Sequence, residues 1–527
     1  MPPSPTSRRL RSFYVWLLLS MLLLGGFTFA LNAFHKVSYP FGWDDDEGAV
    51  WWESAHVIDL KSLYHPIQQY PYFVVPYPPV FHAVTWTLAK ATGDFLVAGR
   101  LVCVFSAIGI ALLLGLLVWH VSPKNIPVGI RACGATVATL LCFRLDALNT
   151  YIPEMGVDLF ALFLSFLGLF LFLRFRSRPA AYVAFACFVL ALFTKQTMVA
   201  APLACLVAEA IFDQTRAVRH FLFCLALGIA GLAFLALASN GEALRHLFLY
   251  NASQPFSLIH WVVGIQQNLV DILPIAAVAC LALLPLFHEA ASPGQATFRD
   301  KLQLDSSADP YHLTLFLLGL QFLFALVVTL TYGKSGSGVH YFLEWNFICC
   351  ALTGLLFTRA LFAWSSQSSQ NSNAAAILLL VFLAAVTSVP DSLRRIDAVY
   401  RLTSGERHKQ STLYASDAAV LKILEQTPGP VLCENMLLVM KAHKEIPIEP
   451  GIQGFLGKSG IWDESGFVAM ITQQKFGVIV MRDLNADFWT EPIVQAIADH
   501  YQVAEHMGDE GVAESSYTVY RPKTSPQ

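Results

Sequence analysis

The residues with the most chemical potential form one acidic run, Trp43-Asp44-Asp45-Asp46-Glu47-Gly48, about ten residues beyond a long apolar stretch. Four consecutive carboxylates repel one another, which raises at least one pKa or recruits a cation. A carboxylate in a partly desolvated site serves as a general base for an acceptor hydroxyl. The run also permits a divalent cation, with Asp44 and Asp45 as candidate ligands, but no complete ligand set can be named. The competing reading is a solvated acidic turn or a helix start, with Gly48 as punctuation.

Four other places carry candidate chemistry. Tyr77-Pro78-Pro79 ends a loop rich in Tyr and Pro, where aromatics suit a membrane interface and also stack on sugars. Glu154 and Asp158 stand four apart, a spacing that puts both on one face of a helix. Lys195 interrupts two apolar runs; it can hold a phosphate as a point charge or snorkel to the headgroups. The loop Gly333–Gly338 carries Lys334 and is followed by His340, Tyr341 and Glu344. A flexible Gly/Ser loop with a Lys can cradle an anion, or simply connect two helices. Its spacing is not that of a Walker A motif.

Composition says what must position these groups. Of the 527 residues, 55% are hydrophobic and 13% charged, against about 25% charged in soluble domains. Residues 391–527 hold 31 of the 71 Asp, Glu, Lys and Arg. A membrane domain over 1–390, with a first outer loop over 35–94, and a small α/β domain over 391–527 follow. Nucleic-acid binding is excluded by a net charge of −3 without a basic stripe, and disorder by the apolar content. Nine of the ten Cys lie in apolar segments and no CxxC occurs, so zinc and redox chemistry are not indicated.

Apolar runs of the required length are read at 13–34, 95–120, 126–147, 151–173, 179–194, 197–212, 219–239, 268–288, 311–331, 338–360 and 373–390. That predicts a polytopic α-helical membrane protein with about eleven transmembrane helices. The segment 79–91 reads as an interfacial or re-entrant helix. With a cytoplasmic N-terminus, threading puts 13 of the 21 Lys and Arg before residue 391 on the inner side, as the positive-inside rule requires. The C-terminal domain is then periplasmic or otherwise extracytoplasmic. Asp44–Glu47, Glu154, Asp158, Lys195 and Gly333–Glu344 converge on the outer face, and ionisable groups at that depth usually serve a site. In the C-terminal part, strands are expected at Val431–Cys433, Gly477–Arg482 and Tyr517–Tyr520, and helices at Ala415–Gln426 and Glu491–His500.

Taken in order, several short motifs resemble the GT-C glycosyltransferases, in particular the branch of protein O-mannosyltransferases and lipid A aminoarabinose transferases. They are Asp46-Glu47-Gly48, Leu63-Tyr64, Tyr77-Pro78-Pro79, Ala98-Gly99-Arg100, Pro153–Asp158 and Leu192–Gln196. The resemblance covers roughly residues 10–390. It implies a GT-C-like fold and an inverting transfer of a sugar from a polyprenyl-phosphate-linked donor to an acceptor hydroxyl or amine, outside a bacterial inner membrane. The acceptor is then a glycan, lipid or protein. By that likeness Asp46 matches the first-loop acid that acts as base or acceptor-positioning group, with Glu47 its neighbour. Asp158 matches a second acid, a role for which Glu154 competes. Lys195 and Lys334, with His340, are candidates for the donor phosphate, and Tyr77 and Glu344 for substrate positioning. No cofactor beyond the permitted divalent cation is called for.

Two other classes compete. A lipid-linked-sugar flippase or transporter predicts midplane charges and inverted repeats, and neither is evident. A non-catalytic assembly protein predicts tolerance to change at Asp46 and Lys195 but not to loss of 391–527.

Overall fold

The computed structural model describes residues 5–43, 46–175, 179–290, 311–366, 371–482, 488–509 and 512–523. Every apolar run read from the sequence contains a helix. Among the described residues 8 helices are long and apolar enough to cross a membrane, while Val128–Cys142, Ala181–Leu192 and Ala200–Phe212 are shorter. The chain is an integral membrane protein. The segment read as interfacial is the helix Val80–Thr92.

Local chemistry sets the helix boundaries near the site. Asp94 accepts from the N–H groups of Leu96 and Val97 at 2.7 and 3.1 Å, an N-cap that starts the helix Phe95–Val121. The expected helix from 151 instead begins at Asp158, because Pro153 and Gly156 break the preceding turn. Glu154 therefore lies outside that helix, and the expectation that it shares a helical face with Asp158 is corrected. A further helix, expected from 268, starts ten residues earlier, at Leu258, and runs to Ala290 with Pro274 and Pro285 inside it.

The C-terminal region carries a four-stranded sheet. Val431–Cys433 pairs in parallel with Val478–Met481, which pairs antiparallel with Val512–Pro522, and that strand in turn with Tyr501–Asp509. Tyr501–Asp509 is the strand that the sequence reading misses. Its side chains are mostly exposed, so it lacks the alternation that marks a half-buried strand. The expected helix over 415–426 extends back to Ser404, where Thr403 caps the Glu406 N–H.

This region does not stand apart from the loop over residues 35–94. Phe41, Trp52, Tyr64 and Phe73 share one buried cluster with Val431, Leu438, Val478 and Val519. The Tyr72 N–H donates to Pro447 O, and the Glu449 N–H to Tyr72 O, both at 2.9 Å. Gly48 belongs to this contact. A Cβ there would stand 2.3 Å from the Leu437 backbone nitrogen, so only glycine admits the helix Met436–Lys441 against Asp46–His56.

Candidate active site

The loops at one end of the helix array enclose a cavity of about 570 Å³. One wall is the helix Asp46–His56. Asp46, Ala49, Val50 and Glu53 line the cavity, and their spacing of three, four and seven places them on one helical face. Asp46 is exposed at the start of that helix.

Glu47 points elsewhere and is buried. Its carboxylate accepts from Arg100 Nε at 2.8 Å and Nη2 at 2.6 Å. The backbone N–H groups of Trp43 and Met155 also donate to it, each at 2.9 Å. Arg100 in turn donates to the carbonyls of Lys36, Tyr39 and Phe41. A carboxylate so engaged anchors the loop to the helix Phe95–Val121, and Glu47 is not among the cavity-lining residues. Asp44 and Asp45 lie outside the described residues. Among the described residues no group of three or more His, Cys, Asp or Glu is placed to hold a metal ion.

Two cations line the same cavity as Asp46. Lys195 sits in the turn between Ala181–Leu192 and Ala200–Phe212 and lines the cavity. It does not reach toward headgroups: it is 1% exposed and its Nζ pairs with Asp158. The Tyr341 ring centre is 4.2 Å from that Nζ and the Tyr77 ring centre 5.6 Å. Asp158 is the first residue of its helix, where the dipole favours a negative charge. Lys334 lines the cavity as well, and its Nζ donates to Asn251 O at 2.8 Å and Asn251 Oδ1 at 3.1 Å. Burial first, then the charge of Lys195, lower its pKa. In the Gly/Ser loop, the Ser335 and Ser337 N–H groups donate to Pro255 O and Lys334 O, so neither is left over for a further acceptor.

His340 and Tyr77 also line the cavity. His340 packs against Tyr151 with tilted rings, centres 4.4 Å apart, and its Nε2 is 3.7 Å from Asp158 Oδ1. The Tyr77 carbonyl accepts the Tyr64 hydroxyl at 2.8 Å. Glu344 is buried behind this wall, accepting from Gln321 Nε2 at 2.8 Å. It borders an adjoining void of about 10 Å³ that Asp158, Lys195 and His340 share. Glu154 is buried in the turn before Asp158 and does not line the main cavity.

Two lining acids escape the sequence reading. Glu53 is one heptad beyond Asp46, a spacing that signals a shared face once the helix is known. Glu449 comes from the C-terminal region and caps the helix Pro450–Lys458 through the N–H groups of Gly451, Ile452 and Gln453. Burial raises its pKa to about 7. The Glu-Pro sequence marks a helix start, but nothing local indicates a cavity.

No protein-family model matches the chain, and no curated protein does. Its architecture is similar to solved structures. The crystal structure of ArnT from Cupriavidus metallidurans bound to undecaprenyl phosphate matches 96% of this chain and 99% of its own, with a TM-score of 0.57 and 13% identity. ArnT from the same organism in the apo state gives 0.52 and 12% identity over 96% of this chain and 98% of its own. The archaeal oligosaccharyltransferase AglB from Archaeoglobus fulgidus, in complex with an inhibitory peptide and a dolichol-phosphate, gives 0.50 and 12% identity. That match covers 93% of this chain and 72% of the other. At these identities the likeness speaks for the fold. The chain shares the fold of these membrane-protein structures.

Proposed function

We propose that the protein is a glycosyltransferase that moves a sugar from a polyprenyl-phosphate-linked donor to an acceptor hydroxyl or amine. The observation that carries this reading is the placement of Asp46, Lys195 and Lys334 around one cavity. Asp46 removes the acceptor proton as the acceptor atom attacks the anomeric carbon. The bond from that carbon to the phosphate oxygen breaks with inversion. The polyprenyl phosphate departs, and the charge developing on it is met by the two ammonium groups. Tyr77 and His340 border the same space and position the sugar.

The lipid-linked donor accounts for other features. Leu247, Phe248, Ile452, Phe455 and Phe488 form an apolar wall beside the cations, suited to a prenyl chain entering from the bilayer. Residues 391–527 supply part of that wall and act as the acceptor-side domain. In the cell the site faces the periplasm, with the N-terminus in the cytoplasm. Resemblance to ArnT and AglB, whose structures hold undecaprenyl phosphate and dolichol-phosphate, supports the donor class.

The test is transfer by the purified full-length protein from a panel of polyprenyl-phosphate sugars, with and without chelator. Asp46→Asn is expected to reduce transfer by about 10²–10⁴-fold, the usual contribution of a general base, with an unchanged melting profile. Full activity in that variant would remove Asp46 from the mechanism.

A further inference from the structure

Two buried groups beside the cavity take no part in the chemistry above. Glu53 lines the cavity at 1% exposure, two helical turns from Asp46. His82, on the helix Val80–Thr92, is fully buried behind it. His82 Nε2 lies 3.2 Å from Glu53 Oε2, at ion-pair distance though off ideal hydrogen-bond alignment, and neither atom has another partner. His82 Nδ1 lies 3.1 Å from Ser54 Oγ.

The proton positions follow from Ser54. Its hydroxyl donates to Val50 O at 2.7 Å, a bond to the preceding helical turn, so it has no second proton for the imidazole. The Nδ1 atom is therefore the protonated one and donates to Ser54. An unprotonated Nε2 facing a carboxylate would leave two buried acceptors against each other, which costs the desolvation of both. A proton on Glu53 resolves this.

The alternative is an imidazolium against a carboxylate, two charges in the interior without further support. Among the described residues no Lys or Arg comes within ion-pair reach of Glu53. The ionisable groups that act on it or feel it are Asp46 on its own helix, Glu449 from the C-terminal region, His82, and the phenols of Tyr64 and Tyr77. Burial, then the charges of Glu449 and Asp46, push the Glu53 pKa well above the carboxylate range. Burial lowers that of His82 to about 3. Both directions agree with the neutral pair.

We propose that Glu53 keeps its proton at neutral pH, directs it to His82 Nε2, and offers the cavity a neutral oxygen as a positioning residue for a substrate sugar hydroxyl. This rests on the sugar-transfer reading. It gives a cavity that admits a phosphate another carboxyl without another negative charge. It also sets the substrate class at that point: a hydroxyl donates to the neutral acid, whereas an ammonium group would favour expulsion of the proton.

Infrared difference spectroscopy of the full-length protein in lipid nanodiscs, wild type against E53Q, reads the proton without substrate. A protonated-carboxyl band belonging to Glu53 is expected to persist from about pH 6 to about pH 8, above the ordinary carboxylate range. A carboxylate band in its place would overturn the assignment. In the transfer assay, E53A is expected to raise KM for donor or acceptor by about tenfold, with a smaller change in kcat. Which KM rises identifies the sugar whose hydroxyl is held. E53Q can donate to His82 and accept from a hydroxyl, so it recovers most of that loss. If E53Q is as impaired as E53A, the neutral positioning role is wrong. A wild type that transfers no sugar overturns the transferase reading and the positioning role together, while the spectrum alone decides the proton.

Discussion

Cutting the Lys195–Asp158 pair separates what holds the site together from what binds the donor. The side chains are 2% and 6% exposed, so removing one partner strands a charge in the interior, at about 3–5 kcal/mol. The two single changes should not cost the same. In Asp158→Asn the Lys195 ammonium keeps the Tyr341 ring at 4.2 Å, a contact worth up to about 2 kcal/mol when desolvated, which puts this variant near 3 kcal/mol. In Lys195→Gln the Asp158 carboxylate keeps the start of its own helix and, among the described residues, His340 at 3.7 Å, but no full counter-charge, which puts the loss at about 5 kcal/mol. The double variant carries two neutral amides that can bond to each other, and should return to within about 2 kcal/mol of wild type. Equilibrium unfolding of the full-length protein in mixed micelles measures all four corners of the cycle. Donor binding should behave differently. Loss of the Lys195 charge is expected to weaken the lipid phosphate by about 10–100-fold in the single and the double variant alike, since a charge-assisted contact is worth about 1.5–3 kcal/mol. Additive stability losses would refute the pairing argument. A double variant that recovers donor affinity would reduce Lys195 to a structural group.

Glu47→Gln leaves the buried Arg100 guanidinium without its counter-charge, and unfolding free energy should fall by about 3–5 kcal/mol; a drop in kcat at unchanged stability would instead move Glu47 into the chemistry. Gly48→Ala forces a Cβ to within 2.3 Å of the Leu437 nitrogen. Overpacking against backbone should cost about 3 kcal/mol and raise hydrogen exchange over 436–441, and unchanged exchange would argue against the close approach. The raised pKa of Glu449, about 7, means that this carboxyl is neutral below that pH and adds negative charge to the cavity above it. Donor KM should therefore rise by about threefold to tenfold as pH passes 7. In Glu449→Gln the rise should vanish, and a persisting rise would assign it to another group. The same shift has a sign for stability: the proton is held longer in the folded state than in the unfolded chain, so its contribution is complete at low pH and fades as pH rises through about 7.

Apolar periodicity made the helices legible because a bilayer demands long runs, and every such run holds a helix. Boundaries were less legible where polar residues sit inside a helix, as in the ten residues from Leu258 that precede the expected start. The Glu154–Asp158 spacing misled because it assumed a continuous helix through Pro153 and Gly156. Tyr501–Asp509 was hidden because an exposed edge strand needs no apolar alternation. Lys195 stood out because a cation between apolar runs is costly unless something uses it, and Lys334 because it stands in a flexible Gly/Ser loop. Glu449 could not be found locally: it stands 396 positions along the chain from Glu53, and only tertiary packing brings both to one cavity.

The acids of this site show why residue type and spacing go only part of the way. Asp46 and Glu47 are adjacent, yet a helix turns them to different surroundings, one to the cavity and one to Arg100. Asp158 is likewise matched by Lys195. Among the described residues Glu53 and Glu449 have no such cation, and burial drives both toward the neutral form. The acidic count of the cavity wall therefore overstates its negative charge. That difference matters for an anionic donor: with Glu53 and Glu449 protonated, Lys195 and Lys334 are left to set the field that a phosphate meets. Ionising either buried acid would work against the two ammonium groups, and so the charge state of Glu53 and Glu449, which no motif encodes, tunes how tightly the cavity holds a phosphate.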